Sequence, residues 1–189
     1  MLELPRRLRL LVDVDEVLAY LQNPVLDIIR RVTKKDWKLE DFKVWDLFSV
    51  LDPEQRKEVF AEMAVPGFCL NLEPIPGSPE AIKELQGLVD VFAVTNPHES
   101  VLWVTERYEW LRVRFGLDKD HVVFTSAKHI VSGNWLVEDH VDQLLKWKEH
   151  NPTGTPILWN TINNKPRGYN HLRAYDWEDV MILVQRALP

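Results

Sequence analysis

The chain has a single cysteine, Cys69, in 189 residues. An intramolecular disulfide is therefore impossible, a cysteine-ligated zinc site is excluded, and a reducing compartment fits. No apolar run approaches the roughly 20 residues that a membrane span requires, so no membrane partner is expected. Arg6, Arg7 and Arg9 precede only a short apolar run, without the longer stretch and small-residue cleavage site of a signal peptide, and the expected location is cytoplasmic. Basic charge is also short: 23 Lys and Arg stand against 29 Asp and Glu, a formal net charge of -6. A nucleic-acid polymer needs a basic footprint, so that partner is excluded. Repeats, low-complexity tracts and Pro/Gly/Ser linkers are missing, and the six histidines show no metal-ligand spacing.

The chain does have enough apolar residues, at 46%, for a substantial core. Its length allows one domain with an elaboration, or two small domains. Apolar runs predict strands near Arg9–Val14, Val89–Val94, Val122–Phe124, Trp135–Val137 and Pro156–Trp159. Helical patterns cover Pro79–Leu88, Ser100–Phe115, Val141–Glu149 and Trp177–Ala187. This alternation argues for an α/β fold, a doubly wound (Rossmann-like) parallel sheet with helices on both faces.

The stretch from Asp15 to Thr95 is too long for a simple crossover. It carries helical patterns over Pro24–Thr33 and Pro53–Ala64, with six aromatics: Trp37, Phe42, Trp45, Phe48, Phe60 and Phe68. Residues 16–72 are read as a small helical cap inserted after the first strand, and residues 1–15 and 73–189 as the α/β core. Open α/β sheets bind ligands at the carboxyl ends of their strands, which would put the cap over Asp13 and Asp15.

Those two aspartates end the run Leu10-Leu11-Val12-Asp13-Val14-Asp15. A buried strand that stops on a pair of carboxylates puts costly charge at the edge of a core, where a divalent cation could neutralise it. Thr95-Asn96 ends a second apolar run, Lys128 follows a third, and Glu138-Asp139 ends a fourth. Each has an ordinary reading: Asp-x-Asp or Glu138-Asp139 as a helix cap, Thr95-Asn96-Pro97 as a turn, Lys128 as a solvated side chain. Together, in that order and mostly at strand ends, they read as a magnesium-dependent phosphate-transfer site.

The chain resembles the haloacid dehalogenase-like phosphohydrolases, whose four motifs match Asp13-Val14-Asp15, Thr95, Lys128 and Glu138-Asp139. Within that superfamily it is most similar to the 5'(3')-deoxyribonucleotidases. The likeness extends through Val17-Leu18-Ala19 and Leu72-Glu73-Pro74-Ile75-Pro76-Gly77, and fades beyond about Asp139. It implies Asp13 as nucleophile, Asp15 as general acid and base, and Thr95, Asn96 and Lys128 as the phosphate site. It implies Mg²⁺ held by Asp13, the Asp15 main-chain carbonyl and Asp139, with Glu138 behind them. The expected enzyme is a phosphomonoesterase acting through an aspartyl-phosphate on a small phosphorylated metabolite, a nucleoside monophosphate, as monomer or homodimer. Trp45 and Phe48 are the candidates to stack on its base; the alternative is that the cap aromatics pack only on one another. A phosphatase of non-nucleotide phosphoesters, and a nucleotide-binding protein without turnover, are the competing readings.

The chain departs from the resemblance in three places. Glu16 stands where the family has glycine, which implies an altered turn or an added charge at the cap hinge. Tyr20-Leu21 replaces an acid-aromatic pair, and Glu138-Asp139-His140 replaces two aspartates and an arginine. The segment Asn160–Tyr169, with Lys165 and Arg167, is read as a solvated polar loop.

Overall fold

The computed structural model describes residues 7–42, 46–164 and 172–188. Trp45, Lys165 and Arg167 lie outside the described residues. Six strands form one sheet: β1 (Arg9–Val12), β2 (Asp90–Thr95), β3 (Val122–Phe124), β4 (Trp135–Glu138), β5 (Thr155–Trp159) and β6 (Leu172–Ala174). All pairings are parallel, in the order β3-β2-β1-β4-β5-β6. The doubly wound sheet expected from the sequence is therefore present.

Side chains alternate across the strands as a period of two requires. Leu10, Val12, Val91, Ala93, Trp135, Val137, Ile157 and Trp159 belong to one buried cluster. It also takes in apolar residues of α3 (Ser78–Leu88), α4 (Val101–Phe115) and α6 (Trp177–Arg186). Leu11, Val94, Leu136 and Leu158 form the other cluster with Val141, Leu144 and Trp147 of α5 (Val141–His150). Both faces are buried, which is why the strands read as unbroken apolar runs. Tryptophans fill much of this core: Trp110 and Trp147 are fully buried, and Trp159 lies 5.4 Å from Trp177 between ring centroids.

Between β1 and α3 the chain forms α1 (Gln22–Thr33), two short 3₁₀ turns and α2 (Pro53–Met63). Their apolar residues, including Ile29, Phe42, Leu47 and Val59, continue the α3–α4–α6 cluster rather than forming a core of their own. The entry and exit of this segment are tied together. Tyr20 N–H donates to Glu73 O at 2.9 Å, and Ile75 N–H to Leu18 O at 2.7 Å. The Leu72–Gly77 motif thus acts as the backbone partner of Leu18-Ala19-Tyr20, and Gly77 supplies the left-handed turn (φ 79°) into α3.

Glu16 adopts φ 60°, in the left-handed region that favours glycine. Its carboxylate accepts N–H bonds from Leu21 (2.7 Å) and Gln22 (2.6 Å) at the start of α1. Left-handed backbone costs a residue with a Cβ about 1–2 kcal/mol. Each bond to a charged acceptor contributes about 1.5–3 kcal/mol, so the pair outweighs the strain. The bonds lost less the strain relieved come to about 1–5 kcal/mol, and burial, which raises the Glu16 pKa against the two bonds, puts the expected loss for Glu16→Gly at the low end of that range. Glu16→Ala, which keeps the strain, should lose more; denaturant titrations showing Glu16→Gly as stable as the parent would refute the capping role, and Glu16→Gly as the more harmful of the two would refute the strain.

Candidate active site

In the order 3-2-1-4-5-6 the chain reverses direction between β1 and β4, and at such a switch the strand ends leave a crevice. Asp13 directly follows β1, and Asp13 N–H donates to Val137 O of β4 at 2.9 Å. Glu138 ends β4 and Asp139 follows it. Carboxylate oxygens of Asp13, Glu138 and Asp139 lie within 4.8 Å of one another, and all three residues are buried. From the end of β3, Lys128 enters on a 3₁₀ turn, with Nζ 2.5 Å from Asp13 Oδ1 and 2.7 Å from Glu138 Oε2. Glu138 is therefore the residue that holds Lys128, and its other oxygen accepts His140 N–H at 3.1 Å.

One ammonium among three carboxylates leaves an excess of negative charge. Burial first, then Glu138, pushes the Asp13 carboxyl up to about 7 against the pull of Lys128. Asp139 is raised well above the carboxylate range by burial, then by Glu138 and Asp13. Burial opposes the Lys128 ammonium, but Asp13 and Glu138 outweigh it and its pKa rises. Asp139 Oδ2 and the Thr95 hydroxyl at the end of β2 are buried without a hydrogen-bond partner. A buried cluster of three carboxylates with surplus negative charge and an orphaned oxygen fits a hard divalent cation.

Asp15 is half-buried at the rim, and its Oδ1 accepts from Arg107 Nη2 at 2.5 Å. Burial raises its pKa, with Arg107 working against the rise. Arg107 is fully buried on α4, its guanidinium 5.1 Å from the Trp103 ring centroid and 5.6 Å from that of Trp110. The adjacent Glu106 accepts N–H bonds from Gly67 (2.7 Å), Cys69 (3.2 Å) and Leu70 (3.4 Å), and Trp110 Nε1 donates to Leu72 O at 2.8 Å. Neither Glu106 nor Arg107 was singled out from the sequence. The signal was available: Arg107 interrupts the stripe Trp103–Arg107–Trp110, spaced i, i+4, i+7 on one helix face.

These groups open into a cavity of about 340 Å³, lined by Asp13, Asp15, Lys128, Asp139, Asn96 and Phe48 among others. Ser126 and Gln143, not foreseen, also line it. A second cavity of about 350 Å³ shares Asp15, Leu21, Phe48 and Asn96 with the first and adds Phe60, His98, Trp103 and Arg56. Its rings run in series. Phe48 to Phe60 is 4.9 Å, Phe60 to His98 5.5 Å, and His98 to Trp103 5.2 Å between centroids. The first cavity thus brings together Asp13, Asp15, Asn96, Lys128, Glu138, Asp139 and Phe48, while Thr95 ends β2 just before Asn96 and is not among the lining residues.

Solved structures share this architecture. A haloacid dehalogenase-like family protein from Streptococcus pneumoniae superposes with a TM-score of 0.67 at 9% identity, covering 95% of this chain and 99% of that one. A haloacid dehalogenase family hydrolase from Deinococcus radiodurans, solved with bound phosphate and sodium, gives 0.62 at 14% identity, covering 95% of each chain. The fold is one shared with haloacid dehalogenase-like hydrolases. Within them, the family model described as 5' nucleotidase, deoxy (pyrimidine), cytosolic type C protein matches residues 6–188, and the chain belongs to that family. It is thereby a phosphoric monoester hydrolase. The mitochondrial 5'(3')-deoxyribonucleotidase of Homo sapiens is 31% identical over 191 residues, which cover 93% of this chain and 83% of the relative. The likeness therefore continues past Asp139, where the sequence motifs alone run out. Among the described residues, no helix is long and apolar enough to cross a membrane.

A carboxyl whose folded pKa exceeds its unfolded value keeps a proton that the unfolded chain has lost, so stability falls as pH rises between the two values. For Asp13 that window runs from 3.8 to about 7, and Asp139 acts in the same direction. In chelator, the protein should melt at a lower temperature at about pH 8 than at about pH 5.5. A divalent cation should recover the difference mainly at the higher pH, because protons and cation compete for the same oxygens. Thermal melts under the four conditions check this; a metal-free melting temperature that climbs with pH contradicts it.

Proposed function

We propose that this chain is a Mg²⁺-dependent phosphomonoesterase that hydrolyses a (deoxy)nucleoside monophosphate through an aspartyl-phosphate, in the cytoplasm. The observation that carries the reading is Asp13: buried, with one oxygen on Lys128 at 2.5 Å, and opening into a cavity that shares Asp15, Leu21, Phe48 and Asn96 with an aromatic one.

Asp13 Oδ1 is engaged by Lys128 and by Val14 N–H at 2.7 Å, which leaves Oδ2 as the attacking atom. In-line attack forms the Asp13–phosphorus bond as the bond to the ester oxygen breaks, splitting one difficult hydrolysis into two easier steps. Arg107 occupies Oδ1 of Asp15, so Oδ2 carries the proton that the leaving oxygen takes. The Asp15 carboxylate then removes a proton from water, which attacks phosphorus, releases phosphate and restores both aspartates. The orphaned Thr95 hydroxyl and the Asn96 side chain at the cavity wall meet the phosphoryl oxygens. Lys128 balances the charge that accumulates there, pre-positioned by Glu138. Asp13, the Asp15 main-chain carbonyl and Asp139 would hold Mg²⁺, which supplies Lewis-acid stabilisation of the phosphoryl oxygens.

Residues 16–72 act in this reading as a lid over the strand ends, with Phe48 at the junction of the two cavities. The ring series beyond Phe48 suits a flat aromatic leaving group, and the relatives named as deoxyribonucleotidases support a nucleotide. Purified protein with Mg²⁺ should release phosphate from nucleoside monophosphates in preference to sugar phosphates in a substrate screen. Sugar phosphates turned over faster would replace the nucleotide reading.

Asp13→Asn should abolish turnover and leave the melting temperature close to or above that of the parent, since it removes the nucleophile and a crowded charge together. Persistent activity would take Asp13 out of the nucleophile role. A lost stacking partner costs about 1–3 kcal/mol per base. Phe48→Ala should therefore lower kcat/KM for the nucleotide, relative to a small ester with no ring such as a glycerol phosphate, by about ten- to a hundredfold. Equal losses on both substrates would show that Phe48 only packs the lid.

A further inference from the structure

The segment after β5 was expected to be solvated, yet Asn164 within it is 1% exposed. It closes a 3₁₀ turn, Ile162–Asn164, that brings its side chain under the site. Asn164 Nδ2 donates to Asp139 O at 2.9 Å and to Trp159 O at 2.7 Å. Its Oδ1 accepts from Arg173 Nη1 at 2.7 Å and from Thr161 N–H at 3.2 Å. Two carbonyls on one side and two donors on the other leave a single orientation for the amide, with both hydrogens and both lone pairs used. Arg173, on the edge strand β6, also donates to Asn160 Oδ1 at 3.0 Å.

The saturated amide is fixed to the backbone of Asp139, whose own carboxylate oxygen Oδ2 is buried with no partner. Asp139 lies between the end of β4 and the first turn of α5, where a small peptide rotation would swing its side chain out of the acidic cluster. We propose that Asn164 is a positioning residue for Asp139, and that Arg173 holds Asn164 in that role, so the sheet edge sets the cation affinity of the switch-point site. The inference rests on the reading of Asp139 as a Mg²⁺ ligand. Groups that orient a metal ligand typically change metal affinity by about ten- to a hundredfold when removed.

The test is direct Mg²⁺ binding by the substrate-free protein, measured by calorimetry and by the Mg²⁺-induced rise in melting temperature. Asn164→Ala should raise the Mg²⁺ dissociation constant about tenfold or more. Arg173→Gln, at the partly exposed edge strand, keeps Asn164 and should raise it by a smaller factor. Val184→Ala, in the buried core on α6 away from the site, should lower the melting temperature and leave Mg²⁺ affinity at the parental value. Should Asn164→Ala fail to fold, the Arg173→Gln titration decides. Parental affinity in the folded Asn164→Ala protein, or in Arg173→Gln where that decides, overturns the inference while Mg²⁺ binding by the parent stands. Absence of Mg²⁺ binding by the parent overturns the metal reading and the inference together.

Discussion

Burying Asp13, Glu138 and Asp139 at one point is affordable only because Lys128 reaches them, and much of the surrounding packing serves to bring it there. An unpaired buried ion costs several kcal/mol; Lys128 sits within 2.7 Å of two of the three acids. Its turn is fastened from beneath by α5. Trp147 Nε1 donates to Val131 O at 2.9 Å, and Asn151 Nδ2 to His129 O at 3.1 Å. Trp147 in turn lies so close to Gly154 that a Cβ there would come within 2.3 Å of its ring. A core tryptophan, a glycine without which it would not fit, and a helix C-terminus thus form the support of one ammonium group. The negative charge that Lys128 leaves uncompensated is what gives the site its demand for a cation or for protons.

Helix α4 does for Asp15 what α5 does for Lys128, and adds a second task. Arg107 fixes one oxygen of Asp15, while Glu106 and Trp110 on the same helix bind the backbone of residues 67–72, where the inserted segment returns to the sheet. The acid and the return of the lid are therefore referred to a single rigid element. The buried guanidinium is stabilised by the faces of Trp103 and Trp110, an arrangement available to arginine because its charge is planar and weakly hydrated. Trp103 also lines the aromatic cavity, so the helix that orients Asp15 forms part of that cavity's wall.

The parts of this architecture legible in the sequence are those with a periodic or terminal signature. β1, β2 and β4 announce themselves as apolar runs because both faces are buried, and the polar residues that end them stand out by contrast. The order acid pair, hydroxyl, lysine, acid survives in the linear chain because a parallel sheet brings every strand end to one edge. Residues that act across the fold leave no such trace. Glu106 contacts a segment more than 35 positions away, and Asn164 contacts Asp139 from 25 positions away. In each case a polar side chain in a turn or helix looks solvated until its distant partner is known. β6 was missed for a related reason: Leu172-Arg173-Ala174 is too short to alternate, and its arginine serves the buried Asn164 rather than solvent.

Glu16 shows how a departure from a family pattern can change what surrounds a site, for it lines the cavity itself and adds to the charge that, after burial, raises the Asp139 pKa. Glycine at this position would turn the chain without strain but would leave the start of α1 uncapped, since Leu21 at its N-cap offers no side-chain acceptor. Glutamate accepts the strain and supplies the acceptor. The consequence extends to the cavity, because Gln22 and Val25 of α1 line it beside Asp13 and Asp15. The loop that carries both aspartates and the helix that walls their cavity are joined through one side chain. Meanwhile Leu18 and Ala19 N–H groups both close on Val14 O at 2.8 Å, so the turn after the acid pair is fixed by backbone bonds that do not depend on the identity of residue 16. The substitution therefore acts on the seating of the inserted segment, where substrate choice resides in the proposed reading, and leaves the placement of Asp13 and Asp15 to the sheet.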